Sequence, residues 1–137
     1  MKPKGLFILI PVTVLVLAVG LFFTVGFGGG SDAVTLQGDT QRYTVKIEID
    51  AAKTGSRTAD IEISGRTGAP DPDSVTLEPF MVAHSHAAPA VTAVRTGPWR
   101  FRAGGDLFVM GGAFELTVAL TSGGQREQVT FPVTVKS

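Results

Sequence analysis

From Val34 onward the chain is written in short alternations of apolar and polar residues. Tyr43, Val45, Ile47 and Ile49 alternate with Thr44, Lys46, Glu48 and Asp50, a period of two that predicts a half-buried strand. Lys53-Thr54-Gly55-Ser56 predicts a turn, and Ala59, Ile61 and Ile63, alternating with Asp60, Glu62 and Ser64, predict its partner. Gly65 to Asp73, rich in Gly, Pro and Asp, reads as a loop. Val75 and Leu77 lead a strand toward Met81; Val91, Ala93 and Arg95 suggest the next, ended by Gly97-Pro98. Trp99, Phe101 and Ala103 form another, closed by Gly104-Gly105-Asp106. Phe114, Leu116, Val118 and Leu120 alternate cleanly, and Ser122-Gly123-Gly124 turns the chain into Val129, Phe131, Val133 and Val135. Val34 to Leu36 reads as an additional short strand, and nothing after Ala33 carries the helical period. About seven strands with turn signals every 8–12 residues predict an all-β, two-sheet sandwich, with a small barrel as the alternative.

The first 27 residues break this pattern. Gly5 to Phe27 contains no charged residue, and its only polar side chains are Thr13 and Thr24. That run matches the roughly 20 residues needed to cross a bilayer and exceeds the core of a signal peptide. Pro11 falls near its start, a kink that membrane helices tolerate. The expected organisation is a signal anchor or transmembrane helix over residues 1–27, a flexible Gly-rich linker over 28–32 and a β domain over 33–137. Cleavage near Gly26-Phe27-Gly28 is the alternative to an uncleaved anchor. Lys2 and Lys4 on the short side keep the N-terminus cytoplasmic by the positive-inside rule, so the domain is expected outside the cell membrane.

Charge narrows the partners. Twelve basic and twelve acidic side chains balance, with no basic tract or acidic tail, which gives no support to nucleic-acid binding. The absence of cysteine removes disulfides, thiolate metal sites, thiol nucleophiles and a lipoprotein anchor together.

Candidate chemistry gathers in two short segments. Both histidines, His84 and His86, lie in Pro79-Phe80-Met81-Val82-Ala83-His84-Ser85-His86, and Met110 lies in Phe108-Val109-Met110-Gly111-Gly112. The third methionine is Met1, so every imidazole and both internal thioethers fall here. Imidazole nitrogen with thioether sulfur suits copper, the thioether favouring Cu(I) and His serving Cu(I) or Cu(II). Zinc would prefer a carboxylate or a third His, and calcium or magnesium would need clustered carboxylates, which these segments lack. On an extended chain His84 and His86 point to the same side, Met81 joins them only through a bend at Val82-Ala83, and Met110 only if its strand end lies beside them. The plainer reading is two solvated histidines and two methionines filling a core.

Catalysis has little to stand on. Ser85 lies between the histidines, and neighbours on a strand point to opposite faces, a poor Ser–His geometry. Asp71 and Asp73 sit in a Pro-rich turn where Asp serves backbone hydrogen bonding, and the glycine doublets read as β-turns rather than phosphate loops. The expectation is that the protein is not an enzyme. Trp99 reads as core or as an exposed binding aromatic, and Arg95, Arg100 and Arg102 as a solvated face or a basic stripe.

The run Pro79-Phe80-Met81-x2-His84-x-His86, followed by Trp99-Arg100-Phe101-Arg102-Ala103-Gly104 and by Phe108-Val109-Met110-x-Gly112-x-Phe114-Glu115-Leu116-Thr117-Val118, resembles the YtkA-like domain and its FixH-type relatives. The resemblance covers Val75 to Leu120; Ser85 stands where that family commonly has glycine, and Val82-Ala83 replaces a Pro- or Met-containing stretch. It implies an immunoglobulin-like β-sandwich of about seven strands behind one N-terminal transmembrane helix, with ligands at Met81, His84, His86 and Met110. It also implies work beside copper handling or respiratory oxidase assembly. The resulting expectation is a membrane-anchored, extracytoplasmic protein that holds or passes copper to a copper-accepting membrane protein. The competing expectation is a non-metal interaction module of an oxidase or cation-pump complex, and a third is a purely structural envelope domain.

Overall fold

A computed structural model of the chain describes residues 32–66 and 68–137, preceded by two dipeptides, Val14–Leu15 and Thr24–Val25. These dipeptides are β1 and β2, short strands at sheet edges; the expected helix from Gly5 to Phe27 otherwise lies outside the described residues. The strands that follow are β3 (Val34–Asp39), β4 (Tyr43–Ile49), β5 (Gly55–Gly65), β6 (Ser74–Met81), β7 (His86–Ala87), β8 (Val91–Thr92), β9 (Val94–Gly97), β10 (Arg100–Phe108), β11 (Gly112–Ser122) and β12 (Gln125–Val135). The described residues contain no helix long and apolar enough to cross a membrane.

Period-two patterning sets which side chains go inward. Along β4, Tyr43, Val45, Ile47 and Ile49 are buried while Lys46 and Glu48 are exposed. On β11, Phe114, Leu116, Val118 and Leu120 are buried, matched on β12 by Val129, Phe131, Val133 and Val135. The strands form two sheets, one ordered β1-β12-β11-β6-β7 with β8 also pairing β6, the other ordered β2-β3-β4-β5-β10-β9. All pairings between named strands are antiparallel except that of β1 with β12. The inner faces meet in one core that includes Leu36, Tyr43, Ile47, Leu77, Phe108, Phe114 and Phe131, with the Phe108 and Phe114 rings edge to face at 5.2 Å. The fold is therefore an all-β, two-sheet sandwich.

Two elements differ from the sequence reading. The single strand expected over Val91, Ala93 and Arg95 is two, because the chain changes sheets there: β8 pairs β6, and β9 pairs β10. Ala93 marks the crossing, buried, with its N–H donating to the Val75 carbonyl at 2.9 Å. The turn expected at Gly104-Gly105-Asp106 is not formed. β10 runs on to Phe108 with a register shift between Gly105 and Phe108, and Gly105 takes φ 137°, a conformation suited to glycine, to absorb it.

One polar clasp ties the sheets together. Glu127 on β12 is almost fully buried and accepts hydrogen bonds from Thr40 Oγ1 at 2.7 Å and from the Arg42 backbone N–H at 2.9 Å, with an ion pair to the Arg42 guanidinium. Burial alone would raise its pKa. The bonds from Thr40 and Arg42 and the Arg42 charge outweigh that, so the carboxyl titrates below its ordinary 4.5. A depressed carboxylate contributes stability above its unfolded-state pKa and loses it as pH falls through the folded value. Glu127→Ala is expected to cost about 3 kcal/mol in urea denaturation at pH 7, since it takes the acceptor from the Arg42 backbone N–H and guanidinium. In Glu127→Gln, the loss of stability between neutral and acid pH should be smaller than in the parent.

Candidate metal centre

β6 meets the histidines at a broken sheet edge. β11 pairs it from Ser74 to Met81, whereas on its other side β8 pairs only Thr76 and Leu77, and β7 only Phe80 and Met81. Pro79 lies at the break. Its carbonyl accepts from the Ala88 N–H at 3.1 Å. The nitrogen and carbonyl of a strand residue point the same way, so the proline nitrogen, with no hydrogen to donate, faces this edge and spares the β11 ladder.

Past Met81 the chain turns through residues 82–85 and returns as β7, with Met81 opposite His86 and Phe80 opposite Ala87. The Val82 N–H donates to the Ala113 carbonyl at 3.0 Å and the Ser85 N–H to the Val82 carbonyl at 3.2 Å. Ser85 sits at φ 48°, in the left-handed region where glycine carries no penalty, the residue type the resemblance leads one to expect there. The bend needed at Val82-Ala83 is thus present, but the chain through His84 and Ser85 is turn rather than extended strand. Directly opposed residues of an antiparallel pair share a face, with Cβ atoms about 5 Å apart. The pairing therefore aligns His86 with Met81, while His84 stands in the turn.

The four residues differ in access. Met81 is 2% exposed and belongs to the core, opposite Phe114 on β11; His84 and His86 are exposed. Met110 is 45% exposed, in the bend between β10 and β11. The β6–β11 register, extended one step by the bond from Val82 to Ala113, puts that bend at the same end of the sheet as the 82–85 turn. Gly111 completes it where a side chain would crowd Ser137, whose backbone nitrogen lies 3.0 Å from the position of an added Cβ. One end of the sandwich thus carries two surface imidazoles and two thioethers, one at the surface and one below it. Among the described residues no three His, Cys, Asp or Glu side chains converge to hold a metal, so a site here depends on thioether sulfur.

The other candidates have structural employment. Asp71 accepts from the Trp99 backbone N–H at 3.0 Å and pairs with Arg95 at 2.8 Å, and Asp73 accepts from the Gly123 N–H at 2.9 Å. Arg100 and Arg102 pair with Glu62 and Asp60 on the outer face of their sheet. Trp99 is half-buried, at φ 63°, and packs so closely on Gly65 that a Cβ there would lie 2.9 Å from its ring. The sequence reading passed over Phe80, Val82 and Val109, large apolar side chains left exposed around the same end; their signal is apolar residues that fall outside the alternation.

No family model and no curated protein matches the chain. Among solved structures, the crystal structure of a DUF4785 family protein from Legionella pneumophila is similar, with a TM-score of 0.50 at 9% identity. The match covers 70% of this chain and 28% of that one, so the chain spans little more than a quarter of that protein. At this identity the likeness concerns the sandwich fold alone.

Packing and ligation by Met81 are separable. Met81→Leu, close in volume, should change stability by less than about 1.5 kcal/mol, and Met81→Ala should cost about 2–5 kcal/mol, both read by urea denaturation. A metal affinity that falls in Met81→Leu would then report the sulfur and not the fold.

Proposed function

We propose that the protein is a membrane-anchored, extracytoplasmic copper carrier with an immunoglobulin-like sandwich, which holds or passes copper through His84, His86, Met110 and Met81. The observation that carries this reading is the pairing of His86 opposite Met81 at the sheet end to which the register also brings Met110. The donor set, imidazole plus thioether without carboxylate, favours copper over zinc or calcium. The exposed histidines suit a site that must release its ion to an acceptor, and the resemblance to YtkA-like and FixH-type domains points to respiratory oxidase assembly as the setting. The protein's role is transfer rather than catalysis. Anchoring uses the span from Gly5 to Phe27, which includes Val14–Leu15 and Thr24–Val25, so membrane insertion withdraws both dipeptides from the sheet edges.

Titration of the protein with Cu(I) and Cu(II), beside a His84→Ala/His86→Ala variant, tests the reading. Binding that is lost in the variant is the expected result; no binding in either oxidation state would leave an interaction module of a membrane complex as the working function. A proton competes with the metal for each imidazole nitrogen, so affinity should be weaker at pH 5 than at pH 7.5. Affinity that is unchanged between pH 7.5 and 5 would remove the histidines as ligands.

A further inference from the structure

We infer that the His–Met end of the sandwich lies against the lipid bilayer, with the apolar side chains of the 82–85 turn and the 109–111 bend in contact with its surface. This rests on the anchor proposed above, and two independent features of the domain meet at that end. The first is an apolar patch. Phe80, Val82, Val109 and Met110 are four of the five exposed large hydrophobic residues among the described residues. The fifth, Val94, lies on β9 opposite Arg102, away from this end. Exposed apolar residues scattered singly need no explanation, but a cluster marks a contact surface.

The second is where the N-terminal segment joins the domain. Asp32 Oδ2 pairs with Lys53 Nζ at 3.1 Å, and Lys53 bridges to Lys136 at the end of β12. Lys136 precedes Ser137, which packs against Gly111, the residue after Met110. These contacts run without a break from the first described residue of the domain to the 109–111 bend. The linker over residues 28–32 reaches at most about 17 Å when fully extended. The anchor therefore holds this end of the sandwich near the membrane, while the turn between β11 and β12 lies at the far end of two eleven-residue strands. Bilayer contact would bury the patch, Lys136 suits lipid phosphates, and the Asp32 charge is matched by Lys53. A metal held by the donors of this end would then face acceptors embedded in the same membrane rather than soluble ones.

The chain has no cysteine, so one introduced thiol is unique. The full chain carrying Val109→Cys or Gln125→Cys would be spin-labelled and reconstituted in phosphatidylcholine vesicles. The expected result is that both proteins float with the vesicles. The Val109 label should gain exposure to membrane-dissolved oxygen and lose exposure to an aqueous nickel chelate, and the Gln125 label should stay aqueous. Adding Val82→Asp should return the Val109 label toward aqueous values. A floating protein with aqueous labels at both positions overturns the docking and leaves the anchor standing. Spin–spin broadening at Val109 without oxygen contact identifies a second copy as the occupant and also overturns it. Protein that does not float overturns the anchor, and the docking with it.

Discussion

β11 pairs with β12 from Gly112 to Ser122 and with β6 from Phe114 to Thr121, and both registers are held by one buried face. A slip of one residue would turn Phe114, Leu116, Val118 and Leu120 to solvent and bring Glu115 and Thr117 inward. Because that is so costly, the positions at which β6 ends and β11 begins are set by the core. The placement of the 82–85 turn beside the 109–111 bend follows from the packing of residues that take no part in any site.

The rest of the sandwich is built outward from this pairing. Ala93 carries the chain from one sheet to the other, and Gly105 lets β10 continue through a bulge to Phe108, whose ring then meets Phe114. The Glu127 clasp adds a polar constraint across the two sheets. It is the one strongly buried carboxylate among the described residues, and it keeps its charge because Thr40 and Arg42 satisfy it. Removing one partner would cost more than the pair contributes, since an unpaired charge would remain in a dry setting.

The proposed roles of the His–Met end are compatible in physical terms. Thioether and aliphatic side chains are at ease at a lipid interface, and thioether sulfur is also a soft metal ligand. A surface that carries Val82, Val109 and Met110 together with two imidazoles can rest near a membrane and still offer donors to a soft ion. The domain is small, and the proposed anchor would restrict which of its faces meets the bilayer. Under that proposal, orientation would come from where Asp32 attaches, without a separate recognition device.

Sequence alone determined the class of fold and the elements that build it. Tyr43 to Ile49, Phe114 to Leu120 and Val129 to Val135 alternate so regularly that strand, inward face and neighbouring turn follow from the period of the pleated chain. It also drew attention to Met81, His84, His86 and Met110, because residue types so few in number are visible by count. Tertiary structure decided what no local pattern carries: that Val91 to Arg95 divides between sheets, that β10 passes through its glycines, that His86 rather than His84 faces Met81, and that Met81 is buried while Met110 is not. Each depends on which distant strand lies alongside and how far its register extends. That is a property of the packed whole, since a strand's own period is the same whichever neighbour it finds.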